Sequence, residues 1–83
     1  MTYQDLIHIR ECYNEALQTT IKDNIKRLMK EHKVKHDQLV KLLSISSHTA
    51  YSYTNKANNN KPELYNLLIL SYYFNVSIYE ILE

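Results

Sequence analysis

From His36 to Asn55 the chain reads HDQLVKLLSISSHTAYSYTN, two short apolar-periodic stretches on either side of a serine-rich break. In the first stretch Leu39, Val40 and Leu43 stand at i, i+1 and i+4 with Leu42 beside them, which is one buried face of a short helix. Ser44, Ile45 and Ser46 then interrupt the pattern. In the second stretch Ala50, Tyr53, Thr54 and Ala57 fall at i, i+3, i+4 and i+7, while His48, Tyr51, Ser52 and Asn55 repeat that spacing on the opposite side. One face is small and semi-apolar, and the other turns hydrogen-bonding groups outward. The unit 36–55 therefore reads as helix, tight turn, helix.

The rest of the chain admits few architectures other than more helix. It has no glycine and one proline, and no stretch alternates with a strand period, so an all-α fold is expected. Its 83 residues make one compact domain. A domain of that size buries only about 60% of the surface of its unfolded chain, which argues against a large catalytic cleft. No apolar run reaches the roughly 18 residues of a membrane span, and MTYQDLIHIRE lacks the basic-then-apolar order of a secretion signal. A cytoplasmic protein without membrane contact is expected. Cys12 is the sole cysteine, which excludes an internal disulfide and fits a reducing compartment. His8 and Cys12 share a helical face, and His32 and His36 have the same spacing, yet two ligands do not make a metal site. Neither a nucleophile motif nor a paired-carboxylate setting is present, so no metal, cofactor or enzymatic activity is expected.

Charge is distributed unevenly. Residues 1–19 sum to −2, residues 20–61 to +6 and residues 62–83 to −3. The positive charge thus coincides with the helix-turn-helix unit, where it would meet phosphates.

With these features in place, the chain from about Thr20 to Leu82 resembles the Cro and lambda-repressor-like (XRE-type) helix-turn-helix family. The resemblance rests on Ile25 and Leu28, Val34, Leu39 and Leu43, Ile45-Ser46, the helix from Ser47 to Lys56, Pro62-x-Leu64, Leu67, and the ending Phe74-Asn75-Val76-Ser77-x-x-Glu80-Ile81-Leu82. It implies a five-helix lambda-repressor-like DNA-binding domain with an additional N-terminal helix. It also implies a sequence-specific transcriptional regulator, a repressor of phage or mobile-element type, that binds double-stranded DNA as a homodimer. The operator would be an inverted repeat with half-sites roughly 10 bp apart. The recognition helix 47–56 would read bases through Ser47, His48, Tyr51 and Ser52. Lys35, His36, Ser46, Asn55, Asn58, Asn59 and Lys61 would meet the DNA backbone.

Four departures from the family pattern stand out. Lys35-His36 replace the usual Thr or Ser followed by Gln, Val40 replaces a small Ala, and Ser44 replaces a turn Gly. A left-handed Ser44 would cost on the order of 1 kcal/mol relative to Gly. Met29 and Thr54 together replace a buried Arg–Glu pair, a coherent exchange because losing one partner alone would strand a buried charge.

Residues 1–19 form an N-terminal helical extension, with a helix from about Thr2 to Gln18 burying Tyr3, Leu6, Ile7, Tyr13 and Leu17. A break is expected at Thr19-Thr20-Ile21, with Thr20-x-x-Asp23 as cap, although a continuous helix is the alternative. Residues 20–83 form the DNA-binding domain. Its first helix, about Thr20 to Glu31, buries Ile21, Ile25, Leu28 and Met29 and leaves Lys22, Lys26, Arg27 and Lys30 outside. Further on, Leu64, Leu67, Leu68, Ser71 and Phe74 give a core face, and Ser77-x-x-Glu80 opens a last short helix.

Tyr65, Ile69, Tyr72 and Tyr73 form a second apolar stripe that needs cover, either from the N-terminal helix, the favoured option, or from a second subunit. The tyrosine-rich surface also keeps open a different class of function, a helix-turn-helix used to dock a protein as an antirepressor or inhibitor.

Overall fold

The computed structural model describes all residues, 1–83. It is all-α, with helices α1 (Tyr3–Glu15), α2 (Gln18–His32), α3 (His36–Leu43), α4 (Ser47–Ser52), α5 (Leu64–Phe74) and α6 (Ile78–Leu82). The short α6 is the hub: it packs on α1, α2 and α5, while α3 packs on α4. Ile21, Ile25, Leu39, Ala50, Leu67, Leu70 and Ile81 are fully buried in one core.

Where helices end is governed by the lack of glycine. α2, α3 and α5 each stop on a left-handed residue, Lys33 (φ 56°), Ser44 (φ 52°) and Asn75 (φ 57°). The next amide returns to the carbonyl five residues back in each case: Val34 N to Met29 O (2.9 Å), Ile45 N to Val40 O (3.3 Å) and Val76 N to Ser71 O (2.9 Å). That is the Schellman arrangement, normally built on glycine. Val34, Ile45 and Val76 then pack against the core, so the apolar contact that follows each turn offsets part of the cost of placing a Cβ there.

The first two helices divide earlier than expected. α1 opens with a capping box in which Thr2 Oγ1 accepts from Asp5 N (3.1 Å) and Asp5 Oδ2 accepts from Thr2 N (2.9 Å). It ends at the extended residues Ala16 and Leu17, and α2 starts at Gln18 with no side-chain cap. Thr19 and Thr20 lie inside α2. The few tenths of a kcal/mol that β-branching costs a helix are outweighed by seating Ile21 and Ile25 in the core. α1 also turns a different face inward. Ile9 is buried and Cys12, Tyr13 and Ala16 pack on the core, whereas Tyr3, Leu6 and Leu17 are exposed.

Lys22 is a correction to the charge reading. It is fully buried, and its ammonium donates to the carbonyls of Asn55 (3.1 Å) and Asn58 (2.6 Å). Burial lowers its pKa. This cation pins the chain that leaves α4 and does not face solvent.

Candidate nucleic-acid interface

α4 is held between a side-chain cap and a brace. Ser46 Oγ accepts from Thr49 N (3.1 Å) and donates to Thr49 Oγ1 (3.0 Å), which fixes the start of the helix. Ala50 and Tyr53 enter the core, and the Tyr53 hydroxyl accepts from buried Asn66 Nδ2 (2.8 Å). Ser47, His48, Tyr51 and Asn55 are left exposed. The helix closes at Ser52, four residues short of the expected end at Lys56, and the chain continues through turns pinned by Lys22.

The brace comes from the start of α3. The imidazole of His36 stacks on the Tyr51 ring, with centroids 4.2 Å apart and planes inclined by 14°, and its Nε2 lies 2.8 Å from Thr54 Oγ1. His36 is half-buried, and desolvation lowers its pKa. Met29 and Thr54 line one groove with His36, Tyr51, Lys26 and Lys35. A neutral contact between His36 and Thr54 therefore occupies the region of the missing ion pair.

Lys35 caps α3 with half a box. Its ammonium cannot accept a hydrogen bond, and instead Gln38 Oε1 accepts from Lys35 N (2.7 Å). The ammonium is left exposed. Lys26 and Lys41 are likewise exposed and unpaired, whereas Arg27 pairs with Glu31 (3.2 Å) and Lys56 with Asp23 (3.0 Å).

Two residues expected at the interface are elsewhere. Ser52 is 5% exposed, and its hydroxyl donates to Thr49 O (2.6 Å) in a cleft beside Asn60 and Pro62. The short α4 and the folded-back chain after it turn this side chain away from the outer face. Lys61 is half-buried against α1: its ammonium donates to the carbonyl of Tyr13 and lies 4.3 Å from the centre of that ring. The Tyr13 hydroxyl in turn donates to Pro62 O (2.6 Å), so Lys61 anchors the extension instead of facing outward. Asn55 and Asn59 are exposed, and Asn58 is half-buried. Asn55 Oδ1 accepts from Ala57 N (3.1 Å) and Asn58 Oδ1 from Asn60 N (2.8 Å), two side-chain turns that shape the loop.

The tyrosine stripe of α5 is not covered by α1, contrary to the favoured expectation. α1 packs on α6 and the Lys61-Pro62 segment, and Tyr65, Tyr72 and Tyr73 remain exposed. His8 and Cys12 do meet on α1, with Nε2 and Sγ 3.6 Å apart. Partial burial and nearby Glu83, Glu15 and Glu11 push the Cys12 thiol up, which lowers its thiolate fraction. No helix is long and apolar enough to cross a membrane.

Comparison with known proteins agrees with this geometry. A crystal structure of a transcriptional regulator from Listeria innocua superposes with a TM-score of 0.65 at 34% identity, covering 74% of this chain. This chain spans about half the length of that protein, 55%. Among curated proteins none matches. The model of the Cro/C1-type HTH DNA-binding domain matches residues 24–83, which includes the cap, brace and outer face of α4. The chain therefore belongs to the Cro/C1-type helix-turn-helix DNA-binding family.

Proposed function

We propose that the protein is a cytoplasmic transcriptional regulator, a repressor of phage or mobile-element type, that binds an inverted-repeat operator as a homodimer. α4 lies in the major groove, where Ser47, His48 and Tyr51 meet base edges. Lys35, Ser46, Asn55, Asn58 and Asn59 meet the phosphate backbone and set the register, and His36, whose ring is engaged in the brace, meets it through its main-chain amide at the start of α3. The observation that carries this reading is the outer face of α4: Ser47, His48, Tyr51 and Asn55 are all exposed, and the unpaired Lys35 ammonium stands beside the groove at its braced end.

The residue types favour a particular style of recognition. Ser and His are weaker base discriminators than Arg or Gln, so shape and the thymine methyl, within reach of Thr49 or Tyr51, carry much of the preference. Selection of bound sequences from a random DNA pool, followed by a salt series on the winner, tests this. Enrichment of an inverted repeat with affinity falling steeply in salt is expected. If folded protein enriches nothing, the reading is wrong. The exposed tyrosines of α5 favour one second reading, a helix-turn-helix that docks a protein, for which binding would be nearly insensitive to salt.

A further inference from the structure

The chain between α4 and α5 makes few bonds of its own. Asn58 N closes a turn on Asn55 O (3.1 Å), and the next main-chain bond is Leu67 N to Glu63 O (3.1 Å) at the start of α5. Residues 59–62 take no part in main-chain hydrogen bonding, so other groups must hold this segment in place.

Those groups come from one part of the chain. Every side-chain bond that ties residues 55–62 to the rest of the molecule involves Tyr13, Lys22 or Asp23. The buried Lys22 ammonium holds the carbonyls of Asn55 (3.1 Å) and Asn58 (2.6 Å) from within. At the far end of the loop the Tyr13 hydroxyl donates to Pro62 O (2.6 Å), and Lys61 returns to the Tyr13 carbonyl while lying over its ring. At the surface Lys56 pairs with Asp23 (3.0 Å). Tyr13, Lys22 and Asp23 all stand ahead of residue 24, where the region shared with the Cro/C1-type domain begins. Tyr13 is itself seated by α1, whose Ile9, Cys12 and Ala16 pack on the core.

We propose that Tyr13 and Lys22 are positioning residues for DNA binding: the N-terminal segment clasps the loop, so that Asn55, Asn58 and Asn59 are in place before the phosphate backbone arrives. The inference rests on the DNA-binding reading and adds to it a role for residues 1–23. Ordering a loop costs conformational entropy, and a loop already ordered in the free protein loses less of it on binding. Lys22 is fully buried, and the Tyr13 hydroxyl is engaged on Pro62, so both act through the loop they hold. The loop meets sugar and phosphate, which carry no base identity, so the clasp raises affinity for every sequence alike.

Tyr13→Phe is the probe, because it keeps the ring beneath Lys61, changes no charge and removes only the hydroxyl on Pro62. Binding is measured on the selected duplex and on the same duplex with one base pair changed, at a temperature where thermal melts show both proteins folded. The variant should bind both duplexes roughly three- to fivefold more weakly, with the ratio between them as in the native chain. Native affinity overturns the proposal, and so does a changed ratio, which would place the effect on α4. Amide relaxation of the free proteins gives a second readout. Order parameters should fall across Asn59–Lys61 in Tyr13→Phe and across Asn55–Asn58 in Lys22→Met, with α4 and α5 unchanged. Loop order equal to the native chain in both variants overturns the clasp. If the native chain binds neither duplex, the DNA-binding reading falls and this role falls with it; native binding with an unaffected Tyr13→Phe overturns the role alone.

Discussion

The Nε2 of His36 lies 2.8 Å from the hydroxyl oxygen of Thr54, and this contact joins the first residue of α3 to the chain just beyond α4. Thr54 Oγ1 also lies 3.4 Å from Tyr51 O, so the hydroxyl donates toward that carbonyl and His36 donates to the hydroxyl. The neutral Nε2–H imidazole satisfies this arrangement, and its stacking on Tyr51 sets the direction of the largest outward side chain of α4.

Acid should loosen this brace. Burial places the folded-state pKa of His36 below its ordinary 6.5, so the unfolded chain takes up the proton first as pH falls. Stability that is present above 6.5 is therefore lost progressively as pH drops through 6.5 toward the lowered folded value. Thermal melts of the native chain and His36→Gln between neutral and mildly acidic pH should show a shallower decline in the variant. Parallel declines would mean that His36 does not carry the effect.

Lys22 makes a prediction opposite to that for a surface lysine. Lys22→Met removes the donor to the Asn55 and Asn58 carbonyls and should cost about 1–2 kcal/mol in chemical denaturation. Lys26→Met, on the same helix but exposed, should change stability little. Equal effects would contradict the burial of Lys22.

The left-handed helix ends can be relieved. Ser44→Gly and Lys33→Gly remove a Cβ from φ 52° and φ 56°. Each should gain about 0.5–1 kcal/mol, after allowing for the added freedom of glycine in the unfolded chain. Asn75→Gly should gain less, because Asn tolerates this conformation better. Denaturant midpoints decide the order.

On DNA, lysines and α4 residues should separate cleanly. Lys35→Ala and Lys41→Ala should weaken binding to every sequence and reduce the salt slope by about one per residue. Ser47→Ala, His48→Ala and Tyr51→Ala should flatten sequence preference. Ser52→Ala, inside the cleft, should leave preference intact while affecting stability. A change of preference with Ser52 would return it to the outer face.

Much of the fold was legible because its signals are periodic. The apolar spacings at Leu39/Leu43 and Leu67/Phe74 locate α3 and α5, and Ser46 and Ser77 act as caps where a hydroxyl before an apolar run predicts them. Left-handed Ser44 followed from the glycine it replaces. What escaped the sequence depends on tertiary placement. Lys22 looks like its exposed neighbour Lys26, and only the returning chain at Asn55 and Asn58 supplies the carbonyls that bury it. Ser52 shares a helical face with His48 and Tyr51, but α4 ends there and the following chain covers it. Lys61 read as a loop cation until Tyr13 of α1 came to lie beneath it. For α1 the cap Thr2-x-x-Asp5 was present in the sequence and would have placed its start, whereas its buried face was set by the position of α6.

The most direct test of the central claim is an amide chemical-shift titration of the labelled protein with the selected duplex. The account predicts that the largest perturbations fall on Ser46 to Tyr51, Lys35 and His36, and the Asn55–Asn59 loop, with the outer face of α1 unmoved. Perturbations concentrated on α1 or α5 with α4 silent would contradict it.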